Sequence, residues 1–170
     1  MKKVLLIVAL LIISTTVIFA AQPTKGVGVG LTTGFPIHVG PQVEYNFGPA
    51  TAYLALGYQS HGGNYFFLRV GGDYNFQSPF INNNWKTDIY LSVGGQFDMA
   101  FTKGGNDIMI GVPVTWSWHT EKVPIKVFAK AGPSVIISTV KYTWLGTTTT
   151  DTSAGLGFVG SIGALYYFDI

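Results

Sequence analysis

Large apolar residues alternate with small or polar residues along most of the chain. The stretch 107–119, DIMIGVPVTWSWH, places an apolar residue at every second position from Ile108 to Trp118. A period of two is typical of a β-strand whose two faces meet different environments. Clusters of Gly, Pro, Asn and Asp separate the alternating segments, as expected of hairpin turns. The pattern predicts an all-β fold of eight strands, at residues 26–32, 37–47, 50–59, 65–77, 88–101, 107–119, 125–137 and 156–168.

Charge is confined to one face of the predicted strands. Seven charged residues within the segments occupy the phase opposite the apolar stripe, namely Glu44, Arg69, Asp73, Asp88, Asp98, Lys126 and Lys130. Only 11% of the chain is charged, whereas an ordinary soluble domain carries about 25%. The polar face is therefore too lightly charged for a water-facing surface. We interpret it as the lumen of a closed barrel, and the apolar face as the lipid-facing outside. The alternative is a soluble exported barrel or sandwich with the apolar face inside, because such a fold would separate apolar and polar residues onto the two faces in the same way.

Aromatic residues favour the membrane interpretation because they collect at the ends of alternate strands. Antiparallel strands bring these ends to one rim, where amphipathic rings would lie at the level of the lipid headgroups. The predicted membrane-interface set is Tyr45, Phe47, Phe76, Trp116, Trp118, Tyr166 and Phe168. A sheet in lipid must close to satisfy its backbone groups. The sequence thus predicts a transmembrane up-and-down antiparallel β-barrel over residues 21–170.

The first twenty residues predict export. Lys2 and Lys3 precede an apolar run that ends at Ala20, which is the layout of a secretory signal peptide cleaved near that residue. An uncleaved membrane anchor is the alternative. Cleavage removes two of ten basic residues and leaves eight against eight acidic ones. With a formal net charge of zero, the mature chain has no charge excess to attract nucleic acid.

Three prolines conflict with regular strands. Pro41, Pro113 and Pro133 lie inside predicted segments, and each lacks the N–H that a ladder hydrogen bond requires. A closed barrel has no edge strand on which such residues could be placed. We therefore expect either β-bulges at these positions or strand boundaries slightly different from the predicted ones.

The assembled pattern resembles the small eight-stranded outer-membrane barrels, the group that contains OmpX and the membrane domain of OmpA. The C-terminal stretch SIGALYYF, with Ser161, Gly163, Tyr166 and Phe168, is similar to the signal that barrel-assembly machinery reads. The resemblance implies a monomer in the bacterial outer membrane, with outer-membrane lipids and that machinery as partners. It also implies that residues 138–154 face the outside. They would form either a protruding hairpin that could hold a surface ligand or a disordered polar loop.

The interior of an eight-stranded barrel is just wide enough to be filled by side chains. We expect Glu44, Asp88 and Lys126 toward the periplasmic end, Asp73 and Lys130 near the middle, and Arg69 and Asp98 higher. Because buried charges need partners, the hypothesis is a paired polar core that plugs the lumen of a structural or surface-interaction protein. The alternative is a narrow pore or conduit for small or hydrophobic molecules, like the OmpW-like barrels.

A lipid A-modifying enzyme is the third possibility. One deacylase family carries a His-x-Ser-Asn signature, and the nearest stretch is 60–64, SHGGN, with Gly63 in place of the serine. Ser60 and His61 are neighbours, so on a strand they would point to opposite faces. We therefore predict no catalytic residues. The three histidines have no metal-ligand spacing, and no motif indicates a cofactor.

Overall fold

The computed structural model describes residues 25–35, 38–59, 65–81, 87–102, 104–120, 124–144 and 147–168. The predicted signal peptide and the SHGGN stretch lie outside these residues. The described part is all-β, which confirms the predicted class, and contains no helix long and apolar enough to cross a membrane. Its nine strands are β1 (Gly26–Phe35), β2 (His38–Asn46), β3 (Ala50–Gln59), β4 (Tyr65–Ile81), β5 (Thr87–Thr102), β6 (Gly105–Gly111), β7 (Val114–Thr120), β8 (Ile125–Trp144) and β9 (Thr147–Phe168).

The nine strands form one antiparallel sheet that closes into a ring. Each strand from β1 to β5 pairs with the next, and β8 pairs with β9. Both β6 and β7 lie between β5 and β8, one after the other. The first and last strands complete the ring, since Val27 pairs with Tyr45 on one side and with Phe168 on the other.

The register is displaced by ten residues after one turn around the ring. Successive cross-strand partners from Gly30 are Gln42, Ala55, Arg69, Asp98, Met109, Ile136 and Gly155. Gly155 precedes Gly160 by five residues, and Gly160 pairs with Phe35. Extending that antiparallel register by five residues aligns Gly155 with Gly40, ten residues beyond the start. A ring closed with such an offset has strands tilted relative to its axis.

The predicted strand 107–119 is divided by Pro113. β6 ends at Gly111 and β7 begins at Val114, which is why nine strands replace the predicted eight. Gly94 still donates its backbone N–H to the Pro113 carbonyl at 3.1 Å. In an antiparallel ladder the N–H and C=O of one residue point to the same neighbour. The bond that Pro113 cannot donate is therefore the one toward Gly94.

Pro133 removes a second hydrogen bond at the same place. The β6–β8 register puts Pro133 opposite Val112, whose N–H donates to the Pro133 carbonyl at 3.0 Å. By the same geometry, the missing Pro133 N–H faces the Val112 carbonyl. Gly132 allows the two backbones to approach here, because a Cβ at this position would lie 2.3 Å from the Val112 oxygen.

The expected bulges are absent at the three prolines, and at Pro113 the alternative, a strand boundary, is found. Pro41 pairs with Leu31 and Pro133 pairs with Phe158 in unshifted register. The register of β5 and β8 is also the same against β6 as against β7, so no residue is inserted at Pro113. Each proline loses one bond toward one neighbour, and this does not require an extra residue. The shifts between described strands lie in the β4–β5 pair, on either side of Pro79.

Strands β8 and β9 extend beyond the ring as a hairpin. Their pairing continues without a shift to Trp144 and Thr147. On β8 the last partner of β6 is Val140, and on β9 the last partner of β1 is Gly160. Of the two alternatives for residues 138–154, the structure therefore has the protruding hairpin, with residues 145–146 outside the described part.

Apolar side chains cover the outer face of the ring, and polar side chains fill its interior. Exposure alternates residue by residue, as in β2 and β3. Val43 is 45% exposed and Leu54 is 46% exposed, whereas Gln42 and Glu44 are each 1% exposed. This arrangement is the reverse of a soluble domain, whose apolar side chains are normally the buried ones.

Candidate functional site: the interior polar network

Three buried ion pairs lie inside the ring. The Arg69 Nε is 2.9 Å from Asp98 Oδ1, the Lys126 Nζ is 2.5 Å from Glu44 Oε1, and the Lys130 Nζ is 2.6 Å from Asp73 Oδ2. The first pair joins the neighbouring strands β4 and β5, whereas the other two join β8 to β2 and to β4 across the interior. All six side chains are almost completely shielded from solvent, where an unpaired charge would be costly.

Glu44 is the centre of the first group. It accepts hydrogen bonds from Lys126 and from the Tyr167 hydroxyl, and Gln42 Nε2 donates to its second oxygen at 3.3 Å. The Lys126 ammonium also lies 5.9 Å from the centroid of the Phe128 ring. The carboxylate and the ammonium therefore each have several partners, which holds the pair in one geometry.

Lys130 is the centre of the second group. It donates to Asp73, which also accepts a hydrogen bond from Thr115 Oγ1 at 3.2 Å. The Lys130 Nζ lies 3.4 Å from the centroid of the Tyr53 ring. A desolvated cation over an aromatic face gains about 2 kcal/mol or more, so the ring is a second partner for this ammonium.

Arg69 and Asp98 form the third group. Arg69 donates through Nε at 2.9 Å and through Nη2 at 3.4 Å, one bond to each oxygen of Asp98. Gln96 Nε2 donates to Asp98 at 2.7 Å, and the Tyr53 hydroxyl donates to Gln96 Oε1 at 3.3 Å. Tyr53 thus links this group to Lys130, and the two groups form one connected network.

Apolar layers separate and cover the ion pairs. Phe128, Leu165 and Tyr167 form one buried cluster, and a second contains Phe67, Ala100 and Met109. The His38 ring stacks on Phe67 with centroids 4.0 Å apart. Sequence reasoning missed these interior apolar residues. Their position in the two-residue period could have revealed them, because they alternate with the outward-facing apolar residues just as the charged residues do.

Six of the seven predicted lumen residues meet in these three ion pairs. Each pair also joins residues expected at the same level of the barrel: Glu44 with Lys126, Asp73 with Lys130, and Arg69 with Asp98. The seventh, Asp88, is in β5, but its side chain lies outside the described part of the chain.

The predicted aromatic set lies on the outer face, toward the rim at which β2, β7 and β9 end. Tyr45 packs on Phe47 with centroids 4.5 Å apart, and Tyr166 packs on Phe168 at 5.0 Å. All four side chains are between 41% and 53% exposed. Phe76 contacts Tyr74, and Trp116 and Trp118 are half-buried on β7.

The four residues of the predicted assembly signal divide between the two faces. Ser161 is buried inside the ring, whereas Tyr166 and Phe168 point outward. Gly163 has a packing reason of its own, because a Cβ there would lie 2.6 Å from the Phe128 ring. The ring geometry thus accounts for the glycine independently of any recognition by assembly machinery.

No family model, curated protein or solved structure matches the chain. The arrangement of its residues is therefore the basis for a functional assignment. In the described interior each of the three paired carboxylates is already bonded to an ammonium or guanidinium group, an arrangement suited to filling and fixing a lumen.

Proposed function

We propose that the chain is an integral outer-membrane β-barrel protein whose lumen is plugged by paired charges and whose role is structural or in surface interaction. The observation that carries this proposal is the arrangement of the closed ring, which is apolar outside and charged inside. Leu31, Val39 and Ile162 are each about 60% exposed on the outer face, whereas Arg69 and Asp98 are fully buried. An outer surface of this kind needs a hydrocarbon environment.

The tilt of the ring supports a membrane barrel. If β6 and β7 are counted as one strand interrupted at Pro113, the ring has eight strands, as the sequence predicts. Eight strands with a ten-residue offset correspond to a tilt of roughly 40°, given standard strand spacings. Membrane barrels have tilts of about 35–45°, and an interior of this size is just wide enough for side chains.

The aromatic rim and the predicted signal peptide support the proposed location in the outer membrane. Tyr45, Phe47, Tyr166 and Phe168 would lie at the headgroup level of one leaflet. By the resemblance stated above, this rim would be periplasmic and the β8–β9 hairpin would face the outside. Lipids of the outer membrane would then be the main partner, with barrel-assembly machinery needed for insertion.

The plug is favoured over the narrow pore because the interior charges are paired and covered by apolar layers. Lys130 contacts Asp73 and Tyr53, and Phe128 lies between the two interior lysines in the sequence. We expect the protein to show no persistent conductance in planar lipid bilayers. A stable conductance that changes in Lys130→Ala would instead support the pore.

The decisive experiment is purification of the expressed protein from the outer-membrane fraction, followed by electrophoresis with and without boiling. A closed barrel should migrate faster before boiling and have a β-type far-ultraviolet spectrum. A protein recovered without detergent from the soluble periplasmic fraction, with no mobility shift, would overturn the proposal.

A further inference from the structure

A cleft opens at the mouth of the ring, where β5, β6 and β8 reach the base of the hairpin. Its volume is about 210 Å³, and it is lined by Tyr65, Thr102, Asn106, Asp107, Thr139 and Val140, together with two glycines. Hydrogen bonds fix its rim. Thr102 Oγ1 donates to the Gly105 carbonyl at 3.0 Å and accepts from the Gly104 N–H at 3.1 Å. The Lys141 N–H donates to the Gly104 carbonyl at 2.7 Å.

Asp107 distinguishes this cleft from the rest of the interior. Within the ring, four carboxylates with described side chains occupy interior-facing positions of the strands. Glu44, Asp73 and Asp98 each have a cationic partner within 2.9 Å. Asp107 is half-buried and has no ion pair with any residue in the described ranges. A carboxylate at the wall of a cleft, without a cationic partner among the described residues, is suited to bind a cation from solution.

An apolar cluster lies behind the wall that carries Asp107. Asp107 pairs with Ala100 across the β5–β6 ladder, and Ala100 is buried with Met109 and Phe67. Tyr65 packs against this cluster, and both Tyr65 and Val140 line the cleft. The cleft thus combines one carboxylate with an aromatic and an aliphatic side chain.

We propose that this cleft binds a small organic cation, an ammonium group carried on a short hydrocarbon chain. The ammonium would pair with Asp107, and the hydrocarbon would lie toward Tyr65 and Val140. A divalent metal ion fits less well, because Ca²⁺ takes six to eight oxygen ligands and Mg²⁺ needs an octahedral shell. The proposal rests on the cleft itself and does not depend on whether the ring lies in a membrane.

The test uses the purified full-length protein in detergent, folded according to its mobility shift. Amide resonances would be followed by NMR during titration with n-butylammonium, and separately with 1-butanol, which has the same hydrocarbon chain without the charge. We expect saturable shifts at Thr102, Asn106, Asp107 and Thr139 with butylammonium, and affinity at least about tenfold weaker for butanol.

Two isosteric variants then locate the charge. Asp107→Asn should weaken butylammonium binding at least about tenfold. The control Asp151→Asn removes an exposed hairpin carboxylate that pairs with Val140 across the β8–β9 ladder but does not line the cleft. It should weaken binding far less than Asp107→Asn, by no more than about twofold. If Asp107→Asn does not fold, the ionic strength is raised on the unmodified protein. Salt should weaken the binding of butylammonium in part, because the carboxylate is half-buried, and should not weaken the binding of butanol.

Three results would overturn the inference. They are equal affinities for butylammonium and butanol, an unchanged affinity in Asp107→Asn, or complete displacement of butylammonium by equimolar MgCl₂. The last result would identify a site for inorganic cations. Each is distinguishable from failure of the membrane proposal, because the mobility shift and the fractionation are measured on the same preparation.

Discussion

Strands β8 and β9 belong to both the ring and the hairpin, but they are stabilised differently in the two regions. Within the ring, β8 and β9 each have a neighbour on both sides, and their side chains alternate between a buried and an outward position. In the hairpin they pair mainly with each other, and every residue of β9 from Thr147 to Leu156 is exposed. The ring is therefore stabilised by burial as well as by backbone pairing. The hairpin depends on backbone pairing and on the strand preference of its threonines.

The largest loss in the free energy of unfolding should come from breaking an ion pair inside the ring. Arg69→Ala leaves Asp98 as an unpaired buried charge, and we expect a loss of about 3–5 kcal/mol in the free energy of unfolding. Unfolding by urea in lipid vesicles would measure it. The double variant Arg69→Met with Asp98→Leu removes both charges and should be less destabilised than the single one. A loss below about 1 kcal/mol in Arg69→Ala would mean that the pair is not desolvated.

The outer face of the ring should give the next largest effect. Leu54 lies in the middle of β3, between Val43 and Val70 on the neighbouring strands. Leu54→Arg should cost about 2–4 kcal/mol in a bilayer, because the charge would lie near its midplane. The measurement is the same unfolding experiment, with Leu54→Met as the size-matched control. A neutral result would contradict a lipid-facing position.

A smaller effect, a gain in the free energy of unfolding, is expected at Pro133. Pro133→Val restores an N–H that faces the Val112 carbonyl, and one added hydrogen bond is worth about 0.5–1.5 kcal/mol. Pro133→Gly restores the same donor without a β-branched side chain and should stabilise less. Slower exchange of the Val112 and Gly94 amides with deuterium would accompany the gain. Unchanged exchange rates would mean that the missing Pro133 N–H does not weaken the ladder at the break between β6 and β7.

The smallest effect should be found on the hairpin. Thr150 is exposed and pairs with Lys141, beyond the last partners of β6 and β1. Thr150→Arg should change the free energy of unfolding by no more than about 0.5 kcal/mol, although the same substitution type is costly at Leu54. A loss comparable to that of Leu54→Arg would show that the hairpin is coupled to the ring.

Alternation in the sequence was sufficient to predict the all-β antiparallel fold and to group the interior charges. The side-chain period of two is a local property, so Glu44 and Lys126 could be assigned to one face without knowledge of their partners. Arg69 and Asp98 meet through the register of one ladder, that of β4 and β5. The pairs of Glu44 with Lys126 and of Asp73 with Lys130 depend on the closure of the ring, which no local pattern contains.

What the sequence left open or missed has local physical causes. Pro113 and Pro133 were visible in the sequence, but their effect depends on which neighbour each missing N–H faces. The hairpin was one of two predictions for residues 138–154, and it could not be separated from a loop because its exposed faces show no clear alternation and threonine suits either. Asp107 was part of the stretch that revealed the strand period, yet it stood apart as a possible site only when the other interior carboxylates proved to be paired.

The pairing of β1 with β9 has a consequence for the order in which the molecule can form. Val27 and Phe168 are neighbours in space but stand at opposite ends of the described chain. As synthesis proceeds from the N-terminus, one side of β1 has no partner until the last strand arrives. During that interval its free backbone groups are a template for pairing with other chains. An escort that covers this strand, or rapid closure of the ring, would therefore decide how much of the protein reaches the closed form.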